Sequence, residues 1–361
     1  MIYAVCAIGI LFVAVTALSI LPVGWWWVRV TDYPRLQVAV GLFLVMATLV
    51  LFFRPLNAAG WAFVGVLLAA MLYQTVWIWP YTPFAERKVI AADGCGVPLS
   101  LLVSNIRVGT RDIGPLQRLA ERHKPDILLL LETDSWWDQA LRPLAARYRT
   151  ELRYPQENGY GLHFFTNLTV HEARLRFLLE PEIPSVLARL ELPDGRQFRF
   201  YGLHPQPPVP NLKDTRPRDT ELLLVGQESS ESELPSVVAG DLNDVAWSPT
   251  TQLLLRTSNL LDPRRGRGVY ATFPAQVPGL RWPLDHIFHT DHFAIETLKV
   301  LGNTGSDHLP VFVELCYQND APRKQQSDAP APGDSQELNE ITEEGQEEAE
   351  TRDGAKPENP L

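Results

Sequence analysis

Four short stretches pair an apolar, strand-like run with an oxygen- or imidazole-bearing residue: DILLLLE (residues 126–132), VAGDLN (238–243), PLDHIF (283–288) and GSDHLP (305–310). A buried strand that delivers Asp, Asn, Glu or His holds that side chain rigidly at the rim of a sheet. One such strand is ordinary, because a loop Asp is commonly a cap or turn residue. Four in one chain supply carboxylates, amides and imidazoles together. That set can hold a hard divalent cation, activate a water and offset charge on a phosphate. The chemistry expected of it is metal-assisted hydrolysis of a phosphoester.

The elements that must position these residues lie between 99 and 318. Residues 99–106 and 127–132 read as buried strands, separated by an amphipathic helix over 113–123. Residues 186–192 and 198–204 flank the dipeptide Asp194-Gly195, a hairpin signal. A helix is expected over 215–227, a strand over 236–239, and a closing strand over 311–316. Such alternation predicts an α/β domain.

The first 81 residues read as a membrane anchor of three transmembrane helices. Residues 1–24 carry no charged side chain, 36–53 are interrupted only by Gln37 and Thr48, and 57–79 have Asn57 and Gln74 as the strongly polar positions. Each run is near the ~20 residues a helix needs to cross a bilayer. Residues 1–24 lack the positive n-region of a cleavable signal peptide, and two more apolar runs follow. Trp25, Trp26, Trp27 and Tyr33, with Trp77, Trp79 and Tyr81, would mark one water interface as an aromatic belt. Arg29, Arg35, Arg87 and Lys88 fall on the side of the following domain, and Arg54 and the N-terminal amine on the other. Read literally, the positive-inside rule puts that domain in the cytoplasm, by a margin of a few charges. The orientation is left open.

Residues 82–98 read as a linker punctuated by Pro83, Gly94, Gly96 and Pro98. Residues 319–361 hold 12 Asp/Glu against 4 Lys/Arg, so -8 of the net -10 sits there. With few apolar residues, this stretch is expected to be a disordered acidic tail. The domain itself is nearly balanced in charge, without the excess of positive charge of a general nucleic-acid binder. Three cysteines (Cys6, Cys95, Cys316) are too few for a disulfide framework and lack zinc-ligand spacing. If the first and last strands are antiparallel neighbours, a Cys95–Cys316 bridge is sterically possible. Two free thiols are the commoner outcome.

With G-D-x-N at 240–243 and S-D-H-x-P at 306–310, the chain resembles the endonuclease/exonuclease/phosphatase superfamily. That superfamily includes deoxyribonuclease I, apurinic endonucleases, sphingomyelinases and inositol polyphosphate 5-phosphatases. The resemblance covers roughly 99–316, and the membrane helices ahead of it look like a bacterial membrane-anchored subgroup. It implies a four-layer α/β/β/α sandwich with the site at one end of the paired sheets, and Mg²⁺ or Mn²⁺ as cofactor. It also implies that Glu132 is the principal metal ligand, with Asn105 and Asp307 assisting. Asp241 would orient or deprotonate the water and Asn243 donate to a phosphate oxygen. Asp285 would fix the tautomer of His308, whose imidazolium offsets transition-state charge, and His204 would reach a phosphate or leaving-group oxygen. His286 and His289 are expected to flank the site.

The departures bear on substrate. Family nucleases often carry Trp, Gln and a basic residue where this chain has Ser104, Leu131 and Asp134. Residues 159–167 match the family's Y-G-x-x-x-x-S-R stretch only loosely, with Asn167 in place of Arg. Arg216 and Arg218 are weak candidates for substrate-phosphate contacts. The expected activity is a membrane-anchored Mg-dependent phosphoesterase acting on a lipid phosphate or nucleic acid in the bacterial inner membrane. The alternative is an inactive membrane scaffold of the same fold. Its partners would be the bilayer and a phosphate ester, with no obligate protein partner evident.

Overall fold

The structure, a computed structural model, describes residues 1–210 and 214–354. The chain divides into two compact units. One comprises Met1–Glu86, Pro208–Thr215 and Gly266–Gly268, and the other holds the remainder.

In the helical unit, α1 (Ile2–Leu18), the short α2 (Trp26–Arg29), α3 (Arg35–Phe52) and α4 (Ala58–Ile78) follow the three apolar runs. Among the described residues, only α3 and α4 are long and apolar enough to cross a membrane; α1 has 17 residues and falls short of that length. Three spans is thus corrected to two candidate spans. The first run loses length because the chain turns at Ser19 and leaves 19–24 outside the helix. Val38, Leu42, Val45, Leu49, Leu67 and Ala70 pack α1, α3 and α4 together. The buried Gln74 donates to Thr16 Oγ1 at 3.0 Å and accepts from Arg35 Nη1 at 3.0 Å. Ile8, Leu11, Phe43, Leu44, Trp61, Leu72 and Val76 point outward, exposed.

The second unit pairs two six-stranded sheets among the described residues. The first contains β1 (Pro98–Asn105), β2 (Ile127–Leu131), β3 (Thr150–Tyr154), β4 (Leu162–Thr166) and, from the far end of the chain, two further strands. The second contains β5 (Thr169–Phe177), β6 (Pro184–Glu191), β7 (Gln197–Leu203), β8 (Ser236–Asp241), β9 (Leu260–Leu261) and β10 (Asp285–Thr290). The strands completing the first sheet are β11 (Phe293–Val300) and β12 (Val311–Tyr317). Their orders are β11-β12-β1-β2-β4-β3 and β5-β6-β7-β8-β10-β9.

β2 is five consecutive apolar residues because both of its faces are covered. Ile127, Leu129 and Leu131 enter the core between the sheets with Val103, Phe164, Phe200, Val237 and Ile287. Leu128 and Leu130 face α5 (Gly114–His123), α6 (Ser135–Ala140) and α7 (Arg142–Ala145), against Leu116 and Trp137. On the far side, Tyr201 and Val238 pack on α8 (Arg216–Ser230) and α9 (Pro249–Thr257) through Leu222, Leu223 and Leu254. The result is the expected layering of helices, sheet, sheet, helices. Each buried Leu contributes roughly 1.5–3 kcal/mol by leaving water.

Each sheet contains one parallel pair, β1–β2 and β7–β8, and antiparallel neighbours complete it. The C-terminal ends of parallel strands and the N-terminal ends of their antiparallel neighbours share one edge. Asn105, Glu132, His204 and Asp241 end or follow the parallel strands. Asp285 begins β10, opposite Asp241 in register, and His308 precedes β12, which pairs antiparallel with β1.

Within the 82–98 linker, the Ala92 amide donates to Ile295 O at 2.9 Å and Val89 is fully buried. The expectation for the tail is corrected. The acidic tail is structured as far as it is described, with α10 (Asp334–Gly354) packed on α8. A sparse stripe of Asp334, Leu338, Ile341, Gly345, Ala349 and Arg352 suffices to bury one face of this polar helix. At Gly345 a Cβ would meet Thr220 Oγ1 at 2.1 Å, so the absence of a side chain sets the approach of the two helices. Polar contacts add to it. Thr220 Oγ1 donates to Ile341 O at 2.9 Å, and Arg256 makes two 2.8 Å bonds to Asp334.

Candidate active site

Asp241, at the end of β8, is buried and sits among its partners. Its Oδ2 accepts from Asn105 Nδ2 at 3.0 Å and lies 3.5 Å from His308 Nε2 and 3.8 Å from His204 Nε2. Its Oδ1 accepts from the Asn243 amide at 3.1 Å. Ligand atoms of Asp241, Asp285 and His308 lie within 4.8 Å of one another. Gly240 makes this packing feasible, since at φ +153° a Cβ would strike Leu203 O at 1.8 Å. The ends of β7 and β8, and with them His204 and Asp241, can approach because that Cβ is missing.

Glu132 sits just beyond β2 with φ at 60°, and Arg107 and Asn243 share that left-handed conformation at 57° and 50°. Backbone held there by non-glycine residues costs about 1–3 kcal/mol each and concentrates at functional sites. Glu132 Oε1 accepts from Asn105 Nδ2 at 2.8 Å and Oε2 from the Val108 amide at 3.1 Å. Asn105 Oδ1 accepts from the Arg107 amide at 3.0 Å. Asn105 therefore presents its amide to two carboxylates, one from each sheet.

His308 Nδ1 lies 2.9 Å from Asp285 Oδ2, and Phe273 packs against the ring at 4.7 Å. Burial works against a charged imidazole, but Asp241 and Asp285 outweigh it and push His308 up to about 10. Both ring nitrogens then carry hydrogens, and Nδ1–H donates to Asp285. Burial also raises Asp241, with the His308 charge opposing it. Burial lowers His204, which lies against the Tyr160 ring at 5.8 Å. Asp307 adds to the negative field on His308 and is 3.6 Å from Arg107 Nε.

Seven of the expected residues thus converge: Asn105, Glu132, His204, Asp241, Asn243, Asp285 and His308. Asn243 Nδ2 donates to Pro205 O at 2.9 Å, tying the Asp241 loop to the segment after His204. Arg216 and Arg218 are corrected. Arg218, 2% exposed, donates to Asp219 and to Asn243 O at 2.7 Å, so it buttresses the loop from behind. Arg216 pairs with Glu344 of α10. His286 is also structural. It takes a hydrogen bond from Arg264 Nη2 at 2.7 Å and donates from Nε2 to Asp244 O at 2.8 Å; burial, with Arg264 beside it, drives it down to about 3.

Phe273, Tyr160 and Arg107 escaped the sequence reading. Tyr160 stands between two glycines and Phe273 precedes Pro274, weak signals that many turns share. Asp134, at the position where family nucleases carry a basic residue, caps α6 and pairs with Arg111 Nη2 at 2.6 Å.

The residues suit a divalent metal. Each Glu132 oxygen accepts one hydrogen bond, leaving lone pairs for a cation that prefers oxygen. The buried Asp285 Oδ1 has no protein partner among the described residues.

A two-sheet sandwich with carboxylates, amides and a carboxylate-held histidine at one edge defines a phosphoester hydrolase of the deoxyribonuclease I-like class. The chain belongs to the Endonuclease/Exonuclease/phosphatase family, whose model matches residues 102–308. No curated protein matches it in sequence. Its fold is similar to an endonuclease/exonuclease/phosphatase family protein from Bacteroides thetaiotaomicron, with 18% identity over 61% of this chain and 98% of that one (TM-score 0.51). The human nocturnin catalytic domain shares 18% identity over 61% and 95% of the two chains (TM-score 0.50). D. rerio TDP2 humanised by 14 mutations shares 16% over 60% and 98% (TM-score 0.50).

Proposed function

We propose that the chain is a membrane-anchored phosphoesterase that requires Mg²⁺ or Mn²⁺. The observation that carries this reading is the Asn105 amide shared by Glu132 and Asp241, with the Asp285–His308 couple against the same Asp241 oxygen. A cation held by Glu132, with Asp307 nearby, would polarise the phosphate and lower the pKa of a bound water. Asp241 orients the attacking water and takes its proton. His308, kept cationic by Asp285, stabilises charge on the phosphorus oxygens, and His204 and Asn243 hold the same group from the other side.

The outward apolar side chains of α3 and α4 support the anchor, since such a surface is stable against lipid tails. Anchoring favours a phosphoester on a lipid headgroup over a nucleic acid, as does the absence of a basic residue at position 134. An inactive scaffold is the weaker reading because Asn105, Glu132, Asp241, Asn243, Asp285 and His308 are all of the type the reaction requires. The test is hydrolysis by the full-length protein in detergent, with and without Mg²⁺, of lipid phosphates and of plasmid DNA. Mg²⁺-stimulated phosphate release from lipid, lost in Asp241→Asn, is expected. Cleavage of DNA alone refutes the lipid preference, and no metal-stimulated hydrolysis of any ester restores the scaffold.

A further inference from the structure

The domain outside the helical unit contains only two cysteines, Cys95 and Cys316, and they are bonded to each other with Cα atoms 5.5 Å apart. The bridge is built into the fold. β1 and β12 are antiparallel neighbours with Pro98 opposite Cys316, and Gly94 at φ +74° lets the chain turn Cys95 onto that strand. Cys316 is fully buried, whereas Cys95 is exposed. The two-free-thiol expectation is thereby corrected. The link closes a separation of 221 residues and fastens the chain's entry into the domain to its last strand. A structural disulfide persists where the surroundings are oxidising and is rare in a reducing cytosol.

Two of the four charges that argued for a cytoplasmic domain, Arg29 and Arg35, have another explanation. Arg35 is fully buried; it pairs with Asp32, donates to Gln74 at 3.0 Å and stacks on Trp77 at 4.8 Å. Arg29, 7% exposed, pairs with the same Asp32 at 3.2 Å and donates to Leu21 O. Both arginines hold the helical unit together, which accounts for them without any role in orientation. Arg54, in the opposite connection, is exposed.

From the bridge and these buried arginines we infer that the catalytic domain faces an oxidising compartment beyond the cytoplasmic membrane. Its substrates are then phosphoester headgroups presented on that side, a class that excludes cytosolic DNA and RNA. The substrate part rests on the phosphoesterase reading; the compartment rests on the proposed anchor and on the bridge, and not on catalysis.

The experiment follows thiols rather than turnover. The full chain, in its host cells, is acid-quenched and alkylated under denaturing conditions without reductant. One free thiol per chain (Cys6) is expected, rising to three after reduction; three before reduction overturns the inference. In Cys6→Ser/Arg122→Cys, with the bridge intact, the exposed Arg122 site is probed by a membrane-impermeant maleimide. Labelling in intact cells is expected, and labelling only after lysis overturns the inference. Hydrolysis by the same membranes is scored separately, so inactive protein with one free thiol counts against the catalytic reading alone.

Discussion

Asn105 and Asp241 belong to different sheets, and a single 3.0 Å hydrogen bond from Asn105 Nδ2 to Asp241 Oδ2 joins them. The same nitrogen donates to Glu132, so one amide sets the spacing between the group expected to hold metal and the group expected to handle the water.

Asn105→Asp, nearly isosteric, places a third carboxylate between the other two. We expect kcat to fall at least 100-fold, in the range seen when a positioned polar group is lost. The melting temperature should fall as well, because a buried donor to two carboxylates is replaced by a like charge. Steady-state kinetics and thermal unfolding of the same preparation check both.

Glu132→Gln keeps shape and removes charge. Half-saturation by Mg²⁺ should rise tenfold or more while the fold is unchanged, read by titrating activity against the metal and by calorimetry. An unchanged metal dependence would remove Glu132 from the cation site.

Asp285→Asn bears on pH. The folded His308 is raised to about 10, so its charge is present below that value and lost as pH rises through it. The wild-type alkaline limb should therefore lie high. Without one of the two carboxylates that hold the proton, the limb should move at least one unit lower. A pH profile of kcat/KM measures it.

Much of this site was legible because its residues sit at strand ends. An apolar run such as 127–131 announces a strand covered on both faces, and the polar residue after it has one place to go. The Asp194-Gly195 hairpin was legible for a similar local reason, with Gly195 at φ +88°. Phe273 and Tyr160 were not, because a ring packed on a distant histidine leaves no mark in its own neighbourhood. α10 was missed for a different reason. Leu338, Ile341 and Ala349 are too few to signal burial, and the contact depends on the missing Cβ of Gly345, which propensity counts as a defect. Arg218 reads from sequence as a weak substrate contact rather than a brace because a buried guanidinium is rare and its acceptors are set by the fold.

Gly345→Leu should displace α10 from α8. We expect the melting temperature to fall by several degrees. KM should also rise a few-fold, because Arg352 near the end of α10 bonds Gln206 at 2.8 Å, two residues from His204. Hydrogen exchange along α8 would locate the damage.

Glu221, buried on α8, is pushed up to about 8 by burial, with Glu180 adding to the effect. The unfolded chain releases that proton near 4.5 and the folded chain near 8, so the folded form binds more protons between them. The group's contribution to stability is full below 4.5 and drains away as pH rises through 8, by at most about 1.4 kcal/mol per pH unit. Denaturant unfolding should show this slope in the native protein and its loss in Glu221→Gln.

With three of the seven converging groups carried by one sheet and four by the other, the apolar interior between them works as a ruler. Phe164 and Phe200 stack across it with centroids 5.3 Å apart. Trimming either ring would let the sheets settle by a fraction of an ångström. Turnover would register that slip before folding did, so the hydrocarbon interior sets the reacting geometry as strictly as the polar rim does.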